Sequence, residues 1–138
     1  MKRALVDINV VLDVLFMREP FAKEGTMLFR KIEAGAVEGH VAAHTITTLH
    51  YLGTRRLGRA KCRKMLIDVL QLFEVVPVTE RELRHALELG WNDYEDAVQA
   101  ACAEAAGVNF LVTRDKRGFR ASAIPVVSPG ELVGLAQT

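Results

Sequence analysis

Carboxylates in the segment 92–119 give the clearest indication of chemistry in this sequence. Three of them, Asp93, Glu95 and Asp96, lie within four residues, and Asp115 stands close behind an apolar run. Clustered carboxylates repel one another, and a divalent cation relieves that repulsion while taking their oxygen atoms as ligands. The pattern therefore indicates a site for a hard divalent cation, provided that the fold brings these acids together.

A helix, a tight turn and a strand are predicted around these acids. An alanine-rich segment runs without a helix breaker to Gly107, and the apolar run Val108–Val112 has the length of a buried strand. In a parallel α/β sheet, the carboxyl ends of strands and the amino ends of helices share one edge, where ligands bind. Asp96 and Asp115 are therefore both predicted to lie at that edge.

The three acids of the helix start also have a structural interpretation. Asn92 followed by Glu95 matches a capping box, and acids in a first turn suit the helix dipole. We prefer this structural role for Glu95, whereas Asp93 fits either role. Asp96 lies deeper, on the side of small residues that should pack against the sheet, where a carboxylate needs a partner or a cation. Asp96 is therefore the strongest candidate ligand of the three.

A further acid, Asp7, ends the predicted first strand Ala4–Val6. Capping of the next helix is one explanation for an acid at this position. A ligand role is the other explanation, since Asp7 should lie at the same edge as Asp96 and Asp115. The convergence of three acids favours the ligand role over the capping role.

Strand-like and helix-like segments alternate along the whole chain. The predicted strands are 4–6, 37–43, 73–76, 108–112 and 125–127. The predicted helices are 10–13, 20–34, 45–57, 59–72, 79–89, 92–106 and one from 128 onward. This order predicts a single α/β domain over residues 1–138, with a mainly parallel sheet and right-handed crossovers. Glycine-rich phosphate-binding motifs are absent from the sequence, so a nucleotide cofactor has no support.

The composition is that of an ordinary soluble protein, with half of the residues hydrophobic and a quarter charged. No apolar run approaches the ~20 residues of a membrane span, and an acid as early as Asp7 argues against a secretory signal. We therefore expect a cytoplasmic protein without a membrane partner. Cys62 and Cys102 are too few for a disulfide framework. His40 and His44 fall in a segment predicted as strand, where their spacing does not converge on one ion.

Positive charge is concentrated in the first half of the chain. Residues 1–67 contain twelve Lys and Arg against six Asp and Glu, whereas residues 68–138 contain six against eleven. The segment 55–64, called the basic patch below, holds six basic residues and no acid. A solvated helix face explains such a patch, and so does contact with the phosphates of a nucleic acid.

Four short motifs occur in a fixed order: Asp7-x-Asn9, Asp93-Tyr94-Glu95-Asp96-Ala97, Thr113-Arg114-Asp115, and Phe119. Together they resemble the PIN-domain family, and within it the VapC-like toxin ribonucleases of type II toxin–antitoxin pairs. The resemblance covers almost the whole chain and implies a three-layer sandwich with a five-stranded, mainly parallel sheet flanked by helices. It also implies RNA hydrolysis with Mg²⁺ or Mn²⁺, an antitoxin protein as partner, and a homodimer.

The resemblance assigns roles to particular residues. The positions that match its metal ligands are Asp7, Asp96 and Asp115. Asp93 matches a further catalytic acid, and Asn9 and Thr113 match residues that orient the acids by hydrogen bonds. The basic residues expected to hold the RNA backbone are Arg114, Lys116, Arg117, Arg55 and Arg59.

One position departs from the family pattern. The helix after the second strand offers a Glu or Asp in the family, and Thr48 stands there in this chain. A hydroxyl is a poor ligand for a hard cation that favours carboxylate oxygens. The alternative function is therefore a PIN-fold module that binds RNA or protein with weakened or absent catalysis. A receiver-like domain is a third possibility, but the required lysine is missing after the last predicted strand.

Overall fold

Five parallel strands form the centre of the structure, a computed structural model that describes residues 2–136. The strands are β1 (Lys2–Val6), β2 (Val37–Ala42), β3 (Glu74–Val76), β4 (Phe110–Val112) and β5 (Val126–Val127). They lie in the order β3-β2-β1-β4-β5, and each neighbouring pair is parallel. The carboxyl ends of the strands therefore meet at one edge of the sheet.

Helices cover both faces of this sheet. Over residues 2–136 the α-helices are α1 (Ile8–Leu15), α2 (Phe21–Glu33), α3 (Ala43–Leu57), α4 (Arg59–Leu72), α5 (Glu80–Leu89), α6 (Tyr94–Ala106) and α7 (Pro129–Leu135). A 3₁₀ helix, which was not predicted, spans Lys116–Phe119. The predicted α/β sandwich is confirmed, and its sheet is parallel throughout the described range. None of the helices in that range is both long enough and apolar enough to cross a membrane.

Two apolar clusters fill the space on either side of the sheet. Side chains alternate between the faces of a strand, so Ala4 and Val6 of β1 join one cluster and Leu5 joins the other. All three residues are fully buried. Burying a side chain of the size of Val or Leu contributes roughly 1.5–3 kcal/mol, and β1 therefore anchors both halves of the core.

Helix α6 packs on the sheet through small side chains. Ala97, Ala100, Ala101 and Ala103 are all buried, and Cys102 between them has no exposed surface. Short side chains let the helix lie close to the strands, which holds its amino end near the carboxyl edge of the sheet. Cys102 is a free thiol, as predicted, and burial raises its pKa to about 11.

The start of α6 differs from the prediction. Asp93 is the N-cap residue, and its Oδ1 accepts a hydrogen bond of 3.1 Å from the backbone N–H of Asp96. The predicted capping box of Asn92 and Glu95 is therefore wrong. The physical reason is that both Asn92 and Asp93 can cap a helix, and the chain uses the second, which frees the Glu95 carboxylate from the helix end.

The two histidines lie in different elements. His40 belongs to β2, whereas His44 lies in the first turn of α3, because β2 ends at Ala42 and the chain turns directly into the helix. The expectation that one strand contains both histidines was wrong. His44 consequently stands at the carboxyl edge of the sheet, beside the strand that carries Asp7 at its end.

Candidate active site

Asp7 and Thr113 form a buried hydrogen bond across the ends of two adjacent strands, β1 and β4. The Oγ1 of Thr113 donates to Oδ2 of Asp7 over 3.1 Å, and the same hydroxyl oxygen accepts from the N–H of Asp115 over 3.1 Å. Asp7 occupies the N-cap position of α1, but its side chain makes no capping hydrogen bond. Thr113 therefore connects Asp7 to Asp115, which matches its expected orienting role.

Asp96 and Asp115 approach each other at Gly118. A Cβ atom placed on Gly118 would lie 3.1 Å from Oδ2 of Asp96 and 3.2 Å from Oδ2 of Asp115. The N–H of Gly118 also donates to Oδ1 of Asp115 over 3.4 Å. The 3₁₀ helix thus positions the last acid, and its glycine leaves a small open space between two carboxylates that come from different elements.

Burial and mutual repulsion raise the pKa values of the central acids. Burial, the main cause, raises the pKa of Asp7 to about 6. Burial also raises the pKa of Asp96 to about 7, and the neighbouring charges of Asp93, Asp7, Asp115 and Glu95 add to it. A cation among these acids would relieve the repulsion and favour their ionised forms.

The donor set fits a hard divalent cation, which binds carboxylate oxygens and retains several waters. The open space at Gly118 lies between two of the predicted ligands, Asp96 and Asp115. Within residues 2–136, no three His, Cys, Asp or Glu side chains already converge closely enough to hold an ion. Binding therefore requires these carboxylates to move toward one another, a small change for side chains that can switch rotamers.

Glu95 belongs to this charged site, although its capping motif suggested a structural role. Its charge raises the pKa of Asp7, Asp96 and also His44. Gln99, one turn further along α6, donates from Nε2 to Oγ1 of Thr45 over 3.2 Å. Residues four apart share a helix face, so this face of α6 is directed at the first turn of α3. The spacing of four residues between Glu95 and Gln99 is the feature of the sequence that could have indicated that Glu95 faces the site.

His44 is a second residue near the site that was not predicted to belong to it. Both of its ring nitrogens are buried and have no hydrogen-bond partner among the described residues. Burial lowers the pKa of His44, and the charge of Glu95 partly opposes that effect. The sequence alone could not identify His44 as a residue near the site. Its direction depends on the residue at which β2 ends, and a strand longer by one residue would direct the imidazole away from the site.

Thr48 stands one helical turn after His44. Its Oγ1 donates to the backbone carbonyl oxygen of His44 over 3.1 Å, an arrangement that is common for threonine within helices. The hydroxyl proton of Thr48 is thereby engaged in a hydrogen bond within α3. Thr48 supplies no carboxylate, so the described site relies on Asp7, Asp96 and Asp115 together with Glu95.

Asn9 does not take the orienting role expected from the resemblance. Its side chain is exposed and makes no hydrogen bond within residues 2–136, while its backbone carbonyl accepts from Arg18 over 3.3 Å. The physical reason is its place in the first turn of α1, on the solvent-exposed side of that helix. Of the two expected residues, Thr113 bonds to a site acid within residues 2–136 and Asn9 does not.

Two of the expected RNA-binding cations are paired inside the chain. The Nε of Arg114 lies 2.8 Å from Oδ2 of the buried Asp13, and its guanidinium covers the ring of Phe21 at 4.1 Å. The Nζ of Lys116 lies 2.9 Å from Oε1 of Glu131. Both side chains hold neighbouring elements in place, and this limits their freedom to bind a phosphate.

The remaining expected cations lie in two places. Arg117 lines a cleft beside Asp96. Arg55 and Arg59 lie around the turn between α3 and α4, and Arg55 donates to the hydroxyl of Tyr51 over 2.6 Å. Arg55 is 12 residues beyond the start of α3 at Ala43, which is about 18 Å along the helix axis. The structure therefore brings Arg117, but not Arg55, to the acids.

The fold and the acid cluster place this chain in a known class. A family model described as PIN domain matches residues 3–117, and the chain belongs to the PIN-domain family. Among curated proteins it is similar to Ribonuclease VapC1 of Aquifex aeolicus (strain VF5), with 24% identity over 120 residues that cover 83% of each chain.

Solved structures show the same architecture. A toxin–antitoxin complex from Klebsiella pneumoniae matches with a TM-score of 0.67 and 22% identity, over 91% of this chain and 97% of that chain. VapC20 of Mycobacterium tuberculosis, described as a sarcin–ricin loop cleaving toxin, matches with a TM-score of 0.68 and 16% identity, over 86% and 94%. The predicted PIN-like sandwich is thereby confirmed.

Proposed function

We propose that this chain is a metal-dependent endoribonuclease that hydrolyses RNA phosphodiester bonds as the toxin of a type II toxin–antitoxin pair. We further propose that a single PIN domain over residues 1–138 carries this activity. Membership of the PIN-domain family and the similarity to Ribonuclease VapC1 support the reaction class. The toxin–antitoxin complex among the similar structures supports an antitoxin as protein partner.

The observation that carries this proposal is that Thr113 links Asp7 to Asp115 and that Asp96 and Asp115 both lie beside Gly118. The three acids come from the end of β1, the first turn of α6 and the segment after β4, and two of them have raised pKa values. In our proposal these acids hold Mg²⁺ or Mn²⁺. Such a cation, when bound, neutralises phosphate charge and activates water for attack on phosphorus.

The other residues of the site prepare these three acids. Thr113 fixes the carboxylate of Asp7 and the backbone of Asp115 through one hydroxyl. Asp93 caps α6 and holds Asp96 in place through its backbone N–H. Asp93 thus supports the site through the helix end as well as through its charge, and it remains part of the proposed catalytic set.

Cleavage of a labelled RNA by the purified protein tests this proposal. We expect cleavage with Mn²⁺ or Mg²⁺, loss of cleavage in a chelator, and loss of cleavage in Asp7→Asn and Asp96→Asn. Asp68→Asn is the matched control, because Asp68 is an exposed acid on α4 away from the edge. Cleavage that survives in both site variants would contradict the assignment of these acids.

The second candidate function is a PIN-fold module that binds RNA or protein without useful catalysis. Thr48 favours it, because the family position for a further acid offers a hydroxyl bonded within the helix in place of a carboxylate. Metal-independent RNA binding together with no detectable cleavage is the result expected for such a module.

Assembly forms a separate part of the proposal. We propose that the chain forms a homodimer and also binds an antitoxin protein, as the resemblance implies. Co-expression with the product of a neighbouring small reading frame, followed by size measurement of the purified complex, tests both partners at once. A monomer that binds no such product would contradict this part while leaving the nuclease test intact.

A further inference from the structure

A cleft of about 440 Å³ opens beside Asp96, between the loop before α6 and the 3₁₀ helix region. Its lining includes Trp91 and Asn92 from the loop, and Arg117 and Arg120 from the other side. Ligand pockets commonly range from about 300 to 1,000 Å³. The cleft is therefore of a size that suits one nucleotide and is too small for a helical segment of RNA.

Trp91 gives this cleft an aromatic wall. Its ring packs edge-on against the buried ring of Phe119, with centroids 6.0 Å apart and planes at 81°. Trp91 itself stays partly exposed and lines the cleft. One side of the indole completes the apolar cluster around Phe119. That packing does not explain why the other side of such a large apolar ring remains accessible in a polar cleft. A fixed, accessible aromatic ring is the usual platform for stacking an unpaired base.

Arg117 and Arg120 give the same cleft free positive charge. Both side chains are exposed, and neither forms a salt bridge within residues 2–136. Arg114 and Lys116 in the same segment are both paired with carboxylates. Guanidinium groups bind phosphate oxygens through paired hydrogen bonds. The two arginines thus line the same cleft as Asp96 and have no carboxylate partner in the described chain.

We propose that this cleft is a subsite for a single unpaired nucleotide of the RNA substrate, a proposal that rests on the ribonuclease function above. The base stacks on Trp91, the amide of Asn92 reads its edge, and Arg117 and Arg120 hold its phosphate. The adjoining phosphodiester then reaches the acids at Asp96. The site accordingly selects single-stranded segments whose bases can leave the stack.

The fluorescence of Trp91 tests this subsite directly, because it is the single tryptophan of the chain. The probes are the four nucleoside 5′-monophosphates, with ribose 5-phosphate and inorganic phosphate as controls, all in buffer with Mg²⁺. We expect saturable quenching by at least one nucleotide and much weaker quenching by the two controls without a base. No saturable change with any nucleotide would overturn the proposal.

Variants of the arginines and of Trp91 measure separately how much each side of the cleft contributes to nucleotide binding. Arg117→Ala with Arg120→Ala should weaken nucleotide binding about tenfold, whereas Arg30→Ala, an exposed position on α2, should leave it unchanged. In calorimetry, Trp91→Ala should weaken binding by about tenfold or more, in line with the ~1–3 kcal/mol of base stacking, and Trp91→Phe by less. Equal binding in wild type and the double arginine variant would contradict the proposal even if Trp91→Ala fails to fold.

The cleavage assay distinguishes this proposal from the proposed function. Cleavage with an unchanged KM in Trp91→Phe and in the arginine variants would overturn the subsite and leave the ribonuclease standing. Nucleotide binding that depends on both walls, in a protein that cleaves no RNA, would support the subsite and contradict the ribonuclease.

Discussion

Asp96 is the residue at which the charges of the site converge. Its neighbours Asp93, Asp7, Asp115 and Glu95 all disfavour its ionised form, in addition to burial. Repulsion between the ionised Asp96 and these neighbouring carboxylates destabilises the fold unless Asp96 is protonated or a cation is bound there. The metal-free protein should therefore show this cost in its stability.

The pH dependence of Asp96→Asn checks this cost. The pKa of Asp96 is about 7 in the folded protein against an ordinary value of 3.8. The stability that the folded protein gains from keeping this carboxyl protonated is therefore fully present below about pH 4 and is lost as pH rises through 7. In a chelator, the variant should exceed wild type by about 1–3 kcal/mol at pH 8, after discounting for partial exposure. Urea unfolding at pH 4 and pH 8 measures the difference, and an equal difference at both pH values would contradict the raised pKa.

Thr48 offers a second test at the residue scale. Thr48→Glu should add a carboxylate one turn beyond His44, which destabilises the metal-free protein and strengthens metal binding. The melting temperature of the variant should therefore rise more steeply with Mn²⁺ than that of wild type, and weak RNA cleavage should increase.

Thr47→Glu is a matched control for this change. Thr47 is exposed, and its hydroxyl donates to the same carbonyl oxygen of His44 over 2.9 Å. A glutamate there should leave the response to Mn²⁺ unchanged. Equal responses in the two variants would show that Thr48 does not occupy the family's acid position.

At the scale of elements, the 3₁₀ helix determines how closely the acids approach. Gly118→Ala places a methyl group against the carboxylates of Asp96 and Asp115, at 3.1 and 3.2 Å. We expect metal affinity to fall about tenfold or more with little loss of stability, and calorimetry with Mn²⁺ measures it. Gly134→Ala is the control, since a Cβ atom there meets nothing within 4 Å. Unchanged affinity in Gly118→Ala would exclude this space from the metal site.

Element boundaries could be predicted where the chain itself marks them. Helix α4 begins and ends at Arg59 and Leu72 as predicted, because Gly58 with φ of +84° stops the preceding helix. Helices α5 and α7 also begin where predicted, and capping boxes at Thr79 and Ser128 mark the two starts. The 3₁₀ helix could not be predicted, since four residues carry no periodicity and the carboxylate of Asp115 positions its glycine.

The acids of the candidate site could be placed by the same reasoning. Asp7 and Asp115 follow apolar strands, so the sheet edge was predictable from the chain alone. Glu95 and His44 depended on the rotation of α6 and on the residue at which β2 ends. Tertiary packing determines both the rotation of α6 and the end of β2. A single sequence predicts such boundaries only to within a residue or two.

At the scale of the whole molecule, the basic patch and the acid site lie far apart. If the patch binds RNA phosphates, then replacing Arg59, Lys61 and Lys64 by Ala should weaken RNA binding regardless of sequence and flatten its salt dependence. Binding measured across a range of salt concentrations tests this. A control with Lys23→Ala and Arg30→Ala on α2 should keep the slope of wild type. If the triple variant keeps the wild-type salt dependence of RNA binding, the basic patch is a solvated helix face and does not contact RNA phosphates.

The pairing of β1 with β4 has a consequence for how the protein is made. The hydrogen bond between Asp7 and Thr113 joins residues 106 positions apart, and β1 lies in the middle of the sheet, between β2 and β4. Contacts between such distant residues form slowly, because a long loop must close first. A growing chain on the ribosome therefore has β1 and Asp7 long before it has β4. The acid cluster can form only after Asp115, which lies 108 residues beyond Asp7, has been synthesised.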